Sequence, residues 1–132
     1  MNRENTKKLV ERFPKMFGGI HKPMTKTAMC WGFEHGDGWF SLIWDLCMSI
    51  EGLFPPKNFE VTQVKEKFGT LRFYTLGGTK KIEDKIDEAE INSAKICEWC
   101  GKKGKLRGRG WLLTLCDSCN GWYEMGYRWG WS

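Results

Sequence analysis

Apolar residues recur every three or four positions early in the chain, at Leu9, Val10, Phe13 and Phe17, with Lys7, Lys8, Glu11, Arg12 and Lys15 between them. This spacing predicts a short amphipathic helix over residues 4–17, ended or kinked just before Pro14, because a proline ring removes an amide donor and crowds the preceding turn. Periodicity then lapses. Residues 18–36 contain Gly18-Gly19, Lys22-Pro23 and Gly36 and predict a long irregular loop holding both histidines, His21 and His35. A broad apolar face returns at Trp39, Phe40, Ile43, Leu46, Cys47 and Ile50 with Asp45 outward, which predicts a central core helix capped by Asp37. Gly52, Pro55 and Pro56 are its stop signal.

From Phe59 to Thr75 the chain is rich in Val, Phe, Thr and Tyr, and Phe68-Gly69-Thr70 is a natural reversal. An antiparallel hairpin is expected, one strand through Val61 and Val64 and the other through Leu71, Phe73 and Tyr74. Phe73 and Tyr74 must then face opposite sides of it. Beyond Gly77-Gly78, the positions Ile82, Ile86, Ala89, Ser93 and Ile96 form a helical stripe opposite a charged face, so the helix is expected to run directly into Cys97. A glycine- and lysine-rich hairpin tip, a strand over residues 111–115 and a terminal helix or turn starting at Cys116 and Cys119 complete the pattern. Trp122, Met125 and Trp129 would share one side of that last element.

Cys97 and Cys100, and Cys116 and Cys119, form two C-x2-C pairs separated by fifteen residues. Each pair can place two sulfurs on one ion, and two pairs complete the tetrahedral shell of structural Zn2+. The expected cofactor is therefore one structural Zn2+, with no coordination position left for a substrate. Two disulfides would need an oxidising compartment, whereas the chain opens Met-Asn-Arg-Glu-Asn-Thr-Lys-Lys without an apolar signal segment and carries two further cysteines, Cys30 and Cys47. A redox dithiol would need a single pair beside a βαβ pattern. A reducing cytoplasm is expected, and no apolar run approaches the roughly 20 residues that span a bilayer. The fold class that follows is α+β: helices packed on a small antiparallel β-hairpin, with a C-terminal four-cysteine zinc lobe. An α+β domain over residues 1–96 and a metal lobe over residues 97–132 packed against it are the expected organisation.

The order of knuckle, hairpin, second cysteine pair and helix start resembles the treble-clef class of zinc fingers, with a zinc ribbon as the alternative if the second pair lies on another hairpin. Three longer segments, Phe33-Glu34-His35-Gly36-Asp37-Gly38-Trp39-Phe40, residues 64–74 and Gly110-Trp111-Leu112-Leu113-Thr114-Leu115-Cys116, resemble a family of small uncharacterised bacteriophage and prophage proteins. That resemblance implies a bacterial host's cytoplasm and a regulatory or anti-defence setting.

Net charge is +5 over 132 residues, which permits anionic partners without requiring them. Its sharpest cluster is Lys102, Lys103, Lys105, Arg107 and Arg109, five cations in eight residues spaced by glycines. A flexible loop of this kind can follow a phosphate backbone or meet an acidic host protein surface, and it can equally be a solvated tip. Lys67-Phe68-Gly69-Thr70-Leu71-Arg72-Phe73-Tyr74 has a passing likeness to the RNP1 element of RNA-recognition modules, but Phe68 stands where that pattern needs glycine and the βαββαβ order is absent. His21, Cys30, Glu34, His35 and Asp37 gather metal-capable groups in the irregular loop. A metal-dependent nuclease using His21, His35 and Asp37 is the enzymatic alternative, although no H-E-x-x-H or comparable motif organises them. Cys30 and Cys47 read as small hydrophobes. Trp122 and Trp129 are expected to cover the metal lobe, with Trp131 free to stack or grip a partner. The expected function is non-enzymatic binding of nucleic acid or of a host nucleic-acid machine, with a protein-only adaptor as the third possibility.

Overall fold

The computed structural model describes residues 1–22 and 27–128. It is α+β, in the order α1 (Arg3–Arg12), β1 (Phe33–Glu34), α2 (Phe40–Gly52), β2 (Glu60–Lys67), β3 (Thr70–Leu76), α3 (Lys80–Ser93), β4 (Lys105–Arg107), β5 (Leu113–Leu115) and α4 (Asp117–Glu124). Short 3-10 turns over Gly18–His21, Ala28–Trp31 and Asp37–Trp39 punctuate the first third. Among the described residues, no helix is long and apolar enough to cross a membrane.

The β2–β3 hairpin forms as its alternation dictates: Val64 pairs with Phe73 on the buried face, while Tyr74 is exposed. Lys67 and Thr70 are opposed across a two-residue turn in which Phe68 (φ 54°) and Gly69 (φ 85°) are both left-handed, the type I′ pattern. Glycine enters that region freely, whereas a side chain there costs about 1–2 kcal/mol. The irregular loop does more than the sequence implies, because Phe33 and Glu34 add a third strand, parallel to β2 and in register with Val64 and Lys65. A strand of two residues has no periodicity to read, and this one exists only through pairing with a segment some thirty residues away.

Helix α1 stops at Arg12, before Pro14, yet Phe13 and Phe17 beyond it are buried in the core with Leu9, Phe13 packing on Trp44 of α2 and Phe17 on Phe33 of β1. Helix α2 buries Ile43, Leu46, Cys47 and Ile50 and closes where Phe54 turns left-handed (φ 52°) ahead of Pro55. Asp37 does not cap α2: its carboxylate accepts hydrogen bonds from the Asn2 backbone amide (2.8 Å), the Asn2 side chain (3.1 Å) and Asn5 (3.3 Å), pinning the start of α1. An intervening 3-10 turn carries Asp37 out of capping range of α2. Helix α3 runs along the open edge of β3 and satisfies its outward amides, Leu71 through the Ser93 hydroxyl (2.9 Å) and Phe73 through the Glu90 carboxylate (2.8 Å). The helix ends at Ser93 rather than running into Cys97. Ile96 instead makes a β-bridge with Lys103, which starts the metal lobe.

Candidate metal centre and its docking onto the sheet

The sulfurs of Cys97, Cys100, Cys116 and Cys119 all lie within 4.8 Å of one another, with Cys100 and Cys116 Sγ 3.6 Å apart. A metal–sulfur bond of about 2.3 Å in a tetrahedron requires sulfurs about 3.8 Å apart, so the four thiols fit one ion. Backbone geometry prepares them for it. In the first knuckle Gly101 N–H donates to Cys97 O (2.9 Å) and Cys97 N–H to Lys102 O (2.7 Å), while β4 and β5 return the chain to the second pair. Cys116 caps α4, its sulfur accepting the Cys119 amide at 3.4 Å. Burial works against ionisation of Cys116, but that amide and the neighbouring thiols prevail and bring its pKa down to about 7, toward the thiolate that a metal requires. With the second pair at a helix start, the arrangement follows the treble clef and not the ribbon.

The lobe has a small core of its own, in which Leu115, Trp99 and Tyr123 cover the cysteines; the Trp99 and Tyr123 rings lie 6.0 Å apart. Sequence reasoning gave this covering role to Trp122, which is 56% exposed, as Met125 is at 79%. Cys119 and Tyr123, four apart, define the inward face of α4; Trp122 lies at the edge of that face, lining a shallow pocket with Trp99, Cys119 and Tyr127, and Met125 follows the end of the helix. Trp129 and Trp131 lie outside the described residues.

Close backbone contact welds the lobe to the sheet. Gly38 N–H donates to Glu98 O (2.7 Å), Gly36 N–H to the Glu98 carboxylate (2.9 Å) and Trp39 Nε1–H to Ile96 O (2.9 Å). On the far side the Thr114 hydroxyl donates to Gly69 O at 2.7 Å, bolting the β2–β3 turn to β5. The three segments singled out in the sequence therefore meet around the first knuckle. Glu98, between the two knuckle cysteines, is almost wholly buried; burial raises its pKa to about 7, against the pull of the Gly36 amide. Nothing in the local sequence marks it, since its burial arises only when the knuckle meets Gly36.

Comparisons with protein-family models, with curated proteins and with solved structures find no match. The site must be read from its own chemistry.

The nuclease constellation is not assembled. His21 is exposed on the lip of an open cleft of about 530 Å³ with Trp31 and Glu34, Asp37 is spent on Asn2 and Asn5, and His35 is fully buried. Among the described residues, the four cysteines are the one group of three or more His, Cys, Asp or Glu side chains positioned to share an ion. Cys47 is a buried hydrophobe whose thiol is pushed up by burial, and Cys30 is half-buried.

His35 is a structural residue rather than a polar group of the loop. Its Nδ1 bonds the Gly36 carbonyl at 2.8 Å, fixing a neutral tautomer, and the ring packs between Phe33 and Trp39. Burial lowers its pKa from 6.5 to about 3 despite that hydrogen bond. Below pH 6.5 the unfolded chain takes up a proton that the folded chain refuses, so this contribution to stability is complete above 6.5 and is lost progressively down to pH 3. Between neutral pH and about pH 5, urea unfolding of the parent should lose about 2 kcal/mol more than that of His35→Asn, whatever the variant's offset. Parallel pH profiles for the two proteins would refute the assignment.

Part of the basic cluster is strand rather than loop: Lys103 bridges Ile96, while Lys102 and Arg109 lie outside the strands. Lys105 and Arg107 lie in β4, in register with Leu115 and Leu113, because both flanks of the hairpin are tied to the cysteines. Arg107 is drawn inward, donating to Leu115 O (2.9 Å) and pairing with Asp117 (2.6 Å). Lys102, Lys103, Lys105 and Arg109 are exposed, and among the described residues Arg107 is the one member of the run in an ion pair.

Proposed function

We propose that this is a zinc-stabilised, non-enzymatic binding protein that engages nucleic acid through the face of the metal-held hairpin. The observation that carries this reading is the exposure of Lys102, Lys103, Lys105 and Arg109 on a hairpin held rigid by four cysteines, with Glu98, the one acid between Cys97 and Cys116, buried beneath it. Cations on a fixed backbone meet phosphates without the ordering cost that a floppy tail would incur. Zn2+ is the ion of choice because four cysteines in a closed shell are its usual structural donor set. The resemblance to bacteriophage and prophage proteins supports a regulatory or anti-defence role in a bacterial cytoplasm, acting on nucleic acid directly or on a host nucleic-acid machine.

Neutralising Lys102, Lys103, Lys105 and Arg109 to glutamine, with Arg107 retained for its bond to Asp117, should weaken binding for every sequence alike. It should also flatten the dependence of log affinity on log salt by about 3. Fluorescence anisotropy with single-stranded and duplex probes across a salt series measures both. Equal affinities and slopes for parent and variant would remove these residues from the site, and no binding by either would leave an acidic protein surface as the partner.

A further inference from the structure

Phe68 is 64% exposed and left-handed at the first position of a type I′ turn, a place where asparagine or glycine sits without strain. An aromatic side chain here costs the fold strain and buries little of its ring in return. The left-handed Phe54 has a local reason, since it ends α2 ahead of Pro55; the Phe68 turn would close equally well with a smaller residue. Its surroundings point to what the ring meets. The Lys67 ammonium lies 5.6 Å from the ring centroid, and the Gly69 carbonyl is held by Thr114 of the metal hairpin. Leu106, also exposed, lies directly against Gly69, which brings β4 of the metal hairpin up to the turn. Lys67 and Thr70 share the outer face of β2–β3 with the cross-strand neighbours Lys65 and Arg72. An exposed ring thus stands on the turn where the β2–β3 hairpin, with Lys67 against the ring, meets the hairpin that carries the exposed lysines. Bases within a duplex present no free face to such a ring, whereas an unpaired strand offers a base to stack and phosphates on either side.

We infer that the ligand is an unpaired nucleic-acid strand, with a base stacked on Phe68 and its flanking phosphates held by Lys67 and the lysines of the metal hairpin. The inference rests on the nucleic-acid reading above and narrows it to a substrate class. The turn itself separates folding from binding in the test, because Phe68→Asn introduces the residue that the turn prefers. That variant should melt at or above the parent temperature, and the metal hairpin's cations remain in place. Anisotropy titrations with oligothymidylate, oligouridylate and a duplex of matched phosphate count are the experiment. The parent should bind the single strands more tightly than the duplex, and Phe68→Asn should lose roughly 5- to 150-fold for single strands, with duplex affinity unchanged. The ratio of the two oligonucleotide affinities assigns the strand as DNA or RNA. Tighter binding of duplex, or single-strand affinity unchanged in Phe68→Asn, would overturn the stacking site while leaving the electrostatic reading intact. No binding of any probe would overturn both.

Discussion

Withdrawing the metal is expected to collapse residues 96–128 and to destabilise the rest of the protein with them. Structural zinc in small fingers contributes on the order of 10–16 kcal/mol, comparable with the whole stability of an ordinary domain. The lobe's own core is a handful of side chains around Leu115, Trp99 and Tyr123, too little to hold the hairpin without the ion. Cys116→Ser should act like a chelator, because serine can still cap α4 but supplies no thiolate to an ion held by the cysteine cluster. Thermal unfolding with and without a strong chelator measures the effect. A large drop in melting temperature is expected, with most helical circular dichroism retained at low temperature because α1, α2 and α3 lie outside the lobe. A chelated protein or a Cys116→Ser variant that melts with the parent would show that the cysteines carry no structural ion.

The second large effect is expected from a single methyl group. A Cβ placed on Gly38 would lie 2.0 Å from the Cys97 carbonyl oxygen and 2.6 Å from both the carbonyl carbon and oxygen of Glu98, all of them backbone. No rotamer can relieve the clash, so the knuckle must lift away and break the bond from Gly38 N–H to Glu98 O, taking Ile96 and its bond from Trp39 with it. Gly38→Ala should cost about 3 kcal/mol or more in urea unfolding. Gly52→Ala, where the added methyl meets nothing within 4 Å at the end of α2, should be neutral or slightly stabilising. Equal stability of the two variants would contradict the docking described for the knuckle.

What could be read from the sequence was what local chemistry decides. The stripe from Ile82 to Ser93 makes α3, the alternation around Val64 and Phe73 makes the hairpin, and two C-x2-C pairs bring four sulfurs together. What escaped was decided by contacts between distant segments. Phe33 and Glu34 are a strand only because Val64 and Lys65 offer an edge, and Asp37 leaves the expected cap because Asn2 and Asn5 present three donors. Arg107 leaves the basic run because Asp117, ten residues on, opens the helix that follows the second cysteine pair. Gly36 resembled loop punctuation and Gly38 fell within the helix expected from Asp37, yet their lack of a side chain is what lets one backbone lie on another.

The central claim is that one zinc ion, closed within four cysteines, fixes the hairpin that presents the binding face. Native mass spectrometry of protein purified without chelators, followed by thiol alkylation before and after denaturation, tests it most directly. One zinc per chain is expected, with Cys97, Cys100, Cys116 and Cys119 unreactive until the metal is released. A folded chain of metal-free mass whose four thiols alkylate at once would contradict it.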